Sequence, residues 1–408
     1  SNEVFNEGLL RKLALSSGAV KRFRKLSGSQ LFDLLLFDGN CSLNQLSMQA
    51  TARHGLVISK QGLHQKFNEG MQAFMKSAFE KLLAVKLTDE AIQGLEITIK
   101  DSTRFALPAN MAGELSGLAG SGMEAGAAVQ FEFGLKSGRA DIKLTAANAN
   151  DQQESHLGKE YIRPGEVYIR DLGYTHAAYM VNVAEKGAFF VNKLHSQALI
   201  YTRKGDGYEL LDLATVKGLT DIQAFIGAQK LPVRLVIEPV SEGVKNKRIA
   251  QLAKYNKKKG HKTSEQFKLR AGFNLFVTNM DGEAYSAALI QELYHLRWQV
   301  ELVFKAWKSI MGLNQIGKGC IYRTWCRLYA KLIWVILGWK ATTAIGKVGQ
   351  VSPLKVYGLV AATKEALRQQ LWKTNGHWLQ IIGKLPFSKV QKEQRKQRLK
   401  IEDIISII

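Results

Sequence analysis

Tyr294-His-Leu-Arg297-Trp-Gln-Val-Glu301-Leu-Val-Phe-Lys-Ala-Trp-Lys308 is the stretch on which the reading of the fold turns. It holds no Pro or Gly. Its apolar residues Leu293, Leu296, Val300, Phe304 and Trp307 recur at helical spacing, so one helix is predicted. At about 100° per residue, Tyr294, Arg297, Glu301 and Lys308 fall within about 60° of each other. A carboxylate, two cations and a phenol would then form one polar stripe beside an apolar face. The ordinary meaning of such a stripe is a solvated face with an Arg–Glu pair at i, i+4. Its chemistry also suits a metal-holding carboxylate flanked by groups that grip phosphate.

Working outward, the composition narrows the partners. The chain has 408 residues, 46% of them hydrophobic, enough for two or three domains with real cores. A formal charge of +22 and a pI near 9.7 point to a polyanion, nucleic acid before anionic membrane. Cys41, Cys320 and Cys326 form no CxxC and no disulfide framework, which fits a reducing cytoplasm. The eight histidines show no zinc-site spacing. The most apolar run, Leu332–Trp339, is too short to span a bilayer and reads as a buried helix. No secretory leader is legible, and Ser1-Asn2 reads as a trimmed or appended end.

Taken in order, residues from about 5 to 90 read as helical, with a basic cluster at Lys21–Lys25. Within them, Ser42–Ala52, a turn at His54-Gly55 and Ser59–Phe67 have the outline of a helix-turn-helix, with Ser59 as N-cap and Lys60, Gln61, His64 and Gln65 free to face a groove. A plain helical hairpin explains the same pattern. At Glu96–Thr103 the period changes: Ile97 and Ile99 alternate with polar residues, and Asp101 sits at the expected strand end. A glycine-rich stretch over 112–126 reads as a loop, 127–135 and 139–146 as a hairpin, and 151–161 as a helix.

Glu166–Tyr174 is a second strand that ends in an aspartate, Asp171, with Gly173 suited to a sharp exit. A helix over 175–187 and a strand over 188–194 follow. From 196 to 270 the pattern turns β-rich, with strands at 208–213 and 231–240 and a lysine run over 245–262 that reads as a solvated loop. Phe273–Asn279 is a further strand, and apolar helices are expected at 322–343 and 359–371, before a basic tail at 389–400. Periodicity alone gives an α/β chain with a mixed sheet.

Tyr-x2-Arg-x3-Glu-x6-Lys resembles the "YREK" signature of bacterial DDE transposases of the insertion-sequence-four superfamily. Four fixed residues recur by chance at roughly one start in 10^5, given usage near one in twenty each. Asp101-Ser-Thr103 resembles the family's first catalytic block and Asp171-Leu-Gly173-Tyr174 its second, and the likeness runs over about residues 30–345.

The resemblance implies an α/β fold: a ribonuclease H-like catalytic core (93–195 and 271–345) with an inserted β-rich domain (196–270). An N-terminal helical DNA-binding domain (1–92) and a C-terminal helical, basic tail (346–408) flank it. It implies Asp101, Asp171 and Glu301 as catalytic residues and as ligands of two Mg2+ ions, with Mn2+ able to substitute. Tyr294, Arg297 and Lys308 would hold the transposon end, Lys60 and Gln61 would read it, and Phe273 would either stack on a base or serve as core. The partners implied are double-stranded DNA and a second copy of the chain in a synaptic complex, in a bacterial cytoplasm near the nucleoid, with no membrane. The activity implied is cut-and-paste transposition through a hairpin. A catalytically inactive, transposase-derived DNA-binding protein is the alternative, and a structure-selective nuclease would leave the Tyr, Arg and Lys of the stripe unexplained.

Overall fold

The computed structural model describes residues 6–21, 26–85, 94–150, 162–174, 176–195, 198–260, 263–345, 350–372, 389–391 and 404. The strands among them are β1 (Ile97–Leu107), β2 (Ala125–Gly134), β3 (Ala140–Ala146), β4 (Val167–Arg170), β5 (Phe189–Lys193), β6 (Ile200–Lys204), β7 (Gly207–Leu210), β8 (Thr220–Ile226), β9 (Leu231–Pro239) and β10 (Phe273–Thr278). Helices before β1 are α1 (Glu7–Ser16), α2 (Gly28–Asp38), α3 (Leu43–His54), α4 (Lys60–His64) and α5 (Glu69–Ala84). Those after β4 are α6 (Ala177–Glu185), α7 (Glu242–Lys259), α8 (Glu265–Arg270), α9 (Ala287–His295), α10 (Trp298–Ser309), α11 (Ile321–Ile345), α12 (Pro353–Ala362) and α13 (Lys364–Trp372). The chain divides into two compact units, one of residues 92–101, 150–298 and 398–408, the other of 1–91, 102–149 and 299–397.

The unit built on 150–298 carries the first half of β1. There β1 pairs in parallel with β4, from Ile97↔Val167 to Lys100↔Arg170, and β4 in parallel with β5, from Val167↔Phe189 to Arg170↔Asn192. Strands covered on both faces read as continuous apolar runs, and Ile97, Ile99, Val167, Tyr168, Ile169, Phe190 and Val191 are all buried. The link from β4 to β5 is α6, capped at its N-terminus by His176, whose Nδ1 accepts from the Ala178 amide at 3.2 Å. Beyond β5 the sheet turns antiparallel in the order β10, β9, β8, β6, β7. The 196–270 segment thus supplies β6 to β9, which continue this sheet edge to edge. Its inward side chains join those of β4, β5 and β10 in one apolar cluster that includes Tyr168, Phe190, Leu235, Ile237 and Val277.

One expectation fails here. The lysine run is a helix, α7, and not a loop. No breaker interrupts 244–259, Lys, Gln, Ala and Leu are good helix formers, and Gly260 ends the helix at φ +71°.

The other unit holds the β2–β3 hairpin, which adjoins the second half of β1, and most of the helices. Its long element is α11, with eighteen buried residues. By length and composition α11 could cross a membrane, yet 72% of its most apolar window is buried within the protein. Trp339 donates from Nε1 to the Gly138 carbonyl in the hairpin turn at 2.8 Å, and Trp334 to the Leu36 carbonyl at 2.7 Å. The Arg327 guanidinium donates to the carbonyls of Gly39, Cys41, Gly317 and Lys318. Burial pushes it down to about 10. Capping boxes at Ser27/Gln30 and Ser42/Gln45 start α2 and α3. Gly117 is a position that only glycine fits: a Cβ there would stand 1.8 Å from the Met123 carbonyl oxygen. The expected C-terminal helix is two, α12 and α13, broken at Thr363. The expected helix at 151–161 and nearly all of the basic segments 21–25 and 389–400 lie outside the described residues.

Candidate active site

Strand register brings the two aspartates together. Lys100 pairs with Arg170, so the next residues along the two parallel strands, Asp101 and Asp171, lie side by side. Asp171 stands where expected, just past the end of β4, and the chain leaves it through a 3-10 turn, Leu172–Tyr174. The Tyr174 amide closes that turn on the Asp171 carbonyl at 2.9 Å. Asp101 departs from expectation. Its strand does not end there but runs on to Leu107, because Thr103, Phe105 and Leu107 keep the buried alternation.

Arg297 occupies the space between these carboxylates. Its Nη1 lies 3.0 Å from Asp101 Oδ2, and its Nε 3.6 Å from Asp171 Oδ1. The Arg297 side chain is 18% exposed, that of Asp101 15% and that of Asp171 42%, so the cluster opens to solvent on the Asp171 side. Tyr294 lies beneath it. That side chain is buried, tilted against the Phe276 ring at 5.2 Å between centroids, and hydrogen-bonded to Arg297. Burial first, and the charge of Asp171 next, hold its phenol protonated well above the ordinary tyrosine range. It therefore supports Arg297 and presents little surface of its own.

The single helix predicted for the opening stretch is two helices. α9 ends at His295, and α10 begins at Trp298. Between them the ladder tightens: the Leu296 amide bonds to the carbonyls of both Glu292 and Leu293, and the Arg297 amide to that of Tyr294 at 3.1 Å. The four residues of the predicted stripe are therefore not carried by one unbroken helix. Tyr294 belongs to α9, Arg297 to the junction, and Glu301 and Lys308 to the first and last turns of α10.

Glu301 is half-buried. Lys308 is half-buried too, and donates from Nζ to the Arg104 carbonyl on β1 at 3.0 Å, with burial lowering its pKa. The rest of α10 is held by Trp307, which is fully buried and donates to the Tyr357 hydroxyl at 2.7 Å. Among the described residues no three Asp, Glu, His or Cys side chains converge as a ready metal cage; the structure assembles the aspartate pair.

Elsewhere, Lys60 and Gln61 are both exposed, on α4, which is five residues long and follows a left-handed Gly55 cap (φ +63°). α3 and α4 are thus two helices joined by a turn, the second of little more than one turn. Phe273 is partly buried and packs against the sheet's apolar cluster, which accounts for it as a core residue.

One residue that the sequence did not single out is Lys193. It follows Asn192, the partner of Arg170, and so extends the row Asp101–Asp171 by one strand. Its Nζ donates to Asn274 Oδ1 at 2.9 Å, in a chain that continues to Glu238 and Arg248. Burial first, then the nearby charges of Arg248 and Arg297, lower its pKa, and Glu238 and Asp171 oppose them. Only strand pairing reveals this placement.

Sequence comparison supplies the class. Residues 94–333 match the transposase DDE domain family. The transposase of insertion sequence element IS231F from Bacillus thuringiensis subsp. israelensis is 30% identical over 361 residues, 80% of this chain and 76% of that one. That of IS231B from Bacillus thuringiensis subsp. berliner is 28% identical over 98% of this chain and 92% of its own length. Among solved structures, the piggyBac transposase synaptic complex with hairpin DNA has a TM-score of 0.45 and 10% identity, over 97% of this chain and 86% of that one, too loose a likeness to bear on the site.

The chain belongs to the DDE transposases, enzymes of phosphoryl transfer that bind transposon DNA and generally use a divalent metal. Within them it is of the IS231 type, in the insertion-sequence-four superfamily.

Proposed function

We propose that this chain cuts its own element free and inserts it elsewhere through a site made by Asp101, Asp171 and Glu301. The observation that carries this reading is the parallel register that sets Asp101 beside Asp171, with one guanidinium bridging both. Two hard carboxylate oxygens whose charge a cation already matches fit a divalent ion such as Mg2+, or Mn2+ in its place. Glu301 would complete the set. When bound, such ions activate an oxygen nucleophile and stabilise the leaving oxygen of a phosphodiester.

This chain's own residues orient the rest. Asp101 and Asp171 are fixed by a strand pair buried on both faces. Tyr294 bonds the Arg297 guanidinium from beneath, and Trp307 fixes the helix that carries Glu301 and Lys308. Arg297 and Lys308 would take backbone phosphates of the transposon end, one bidentately and one as a point charge. Lys193 adds a fixed positive charge at the row's end. Water would be the first nucleophile. The freed 3′-hydroxyl would follow, on the opposite strand to give a hairpin and then on target DNA. Two copies of the chain would hold two ends together, in the cytoplasm of a bacterial cell. The presence of all three carboxylates, and the seating of two of them in register, favours this over an inactive DNA-binding descendant.

The test compares Asp101→Ala, Asp171→Ala and Glu301→Gln on DNA carrying the element's ends. Each should lose nicking and hairpin formation by a factor of about 10^2 or more while binding ends nearly as well as wild type, since most affinity comes from phosphate contacts made elsewhere. Near-normal cutting by any one of the three would remove that residue from the site.

A further inference from the structure

We propose that Arg297 is an internal counter-ion that holds the metal site closed until DNA draws it away. This rests on the reading of Asp101 and Asp171 as metal ligands. The guanidinium binds one oxygen of Asp101 at 3.0 Å and reaches one of Asp171 at 3.6 Å. Those are oxygens a divalent ion would need, and a guanidinium and a dication cannot share them without strong repulsion. A phosphate of the transposon end competes from the other side, because arginine binds phosphate as it binds carboxylate, through paired N–H donors. Metal and DNA thereby help each other: each binds the form from which Arg297 has left the aspartates.

The local structure suits a side chain with two positions. Arg297 sits in the tightened junction between α9 and α10, outside either helix, where its amide donates to the Tyr294 carbonyl at 3.1 Å. That backbone bond holds its root, and the side chain of Tyr294, packed on Phe276, bonds the guanidinium as well. The aspartate pair is most open at Asp171. Turning out on that open side, the head would exchange these side-chain bonds for phosphate while the junction stays in place. Linkage requires reciprocity: if DNA raises metal affinity by some factor, metal raises DNA affinity by the same factor.

The test measures Mn2+ binding to the full chain by electron paramagnetic resonance, without DNA and with a duplex of the element's terminal sequence. Arg297→Ala and Arg297→Gln are compared with wild type. Asp101→Asn and Asp171→Asn serve as controls. The expected result is that both Arg297 variants bind Mn2+ at least about tenfold tighter than wild type in the absence of DNA. They should also lose most of the enhancement that the duplex gives wild type. Melting curves add a readout independent of the probe: without metal the Arg297 variants should melt below wild type, through unshielded repulsion between the aspartates, and Mn2+ should raise them by more.

Mn2+ affinity unchanged or weaker in both Arg297 variants, with Asp101→Asn and Asp171→Asn weakened, would overturn the counter-ion role and leave the metal site standing. Mn2+ binding undiminished in the two aspartate variants would instead remove the metal site itself. An enhancement by DNA in Arg297→Ala as large as in wild type would also overturn the proposal.

Discussion

Gly338 lies mid-way along α11, where helix propensity and packing predict opposite signs for its replacement by alanine. Propensity favours Gly338→Ala by about 1 kcal/mol. The structure opposes it: a Cβ at this position would stand 2.1 Å from Tyr357 Cε1 and 2.4 Å from Cδ1. Tyr357 is fully buried and cannot swing away. Its hydroxyl donates to the Val335 carbonyl at 2.8 Å and accepts from Trp307 Nε1 at 2.7 Å. To make room the ring must shift by more than about 1 Å, against an over-packing cost of about 1–3 kcal/mol. That shift also strains the bond that satisfies the buried Trp307 N–H, worth a further 1–3 kcal/mol or so if lost.

Packing therefore wins, and the net destabilisation should be about 2–4 kcal/mol. Urea denaturation of the full chain measures it. The double-mutant cycle with Tyr357→Ala identifies the cause: once the ring is gone, Gly338→Ala should become neutral or stabilising by up to about 1 kcal/mol. Because Tyr357 anchors Trp307, the single variant should also lose cleavage beyond its loss of folded protein. A Gly338→Ala chain as stable as wild type would refute the reasoning, as would a cost that persists unchanged without Tyr357.

Lys308→Ala should fold normally, since the bond lost is one to the half-buried Arg104 carbonyl, but its end binding should show a salt slope shallower by about 0.9 for one phosphate contact. An unchanged slope across a salt series would confine Lys308 to tying α10 to β1. Burial lowers the Lys331 and Lys340 amines from 10.5 to about 8, so between pH 8 and 10 the unfolded chain binds more protons than the folded one and stability should rise with pH. Above about pH 10 the rise should reverse, because Tyr329 and the other buried phenols ionise in the unfolded chain first. Melting curves from pH 7 to 11 check both limbs, and Lys331→Met should flatten the first; a stability that falls steadily from pH 8 would contradict both assignments.

Much of this fold was legible because its signals are local. Alternation marks Ile97 and Ile99 as a strand, and the Glu166–Asp171 run needs no partner to be read as another. The end of β1 was misplaced for an equally local reason. Asp101 interrupts the buried row Ile97, Ile99, Thr103, Phe105, Leu107 with one charge, and a charge after two apolar alternations looks like an end. Continuing the count by twos past Asp101 would have found the rest. The helix over 242–259 was missed because a lysine-rich composition was read as solvation, although solvation and helicity do not exclude each other.

The site was legible only as far as sequence spacing can stand for distance. Tyr294, Arg297, Glu301 and Lys308 have the right residue types, but their common face assumed an unbroken helix. Nothing in the residues announces the break at Leu296–Arg297: there is no Pro, no Gly and no loss of apolar period. Its cause is tertiary. Tyr294 is anchored to Phe276 on β10, and Arg297 is pulled to carboxylates nearly two hundred and more than one hundred positions upstream. Lys193 was invisible for the same reason, since a lysine that closes a strand normally faces water. The pairing of β4 with β5 makes it the neighbour of Asp171. In this chain strand order therefore does what motif spacing cannot. It ranks Asp101, Asp171 and Lys193 in one row across three parallel strands, and it gives Arg297 a place to bind that the neighbouring helices do not supply.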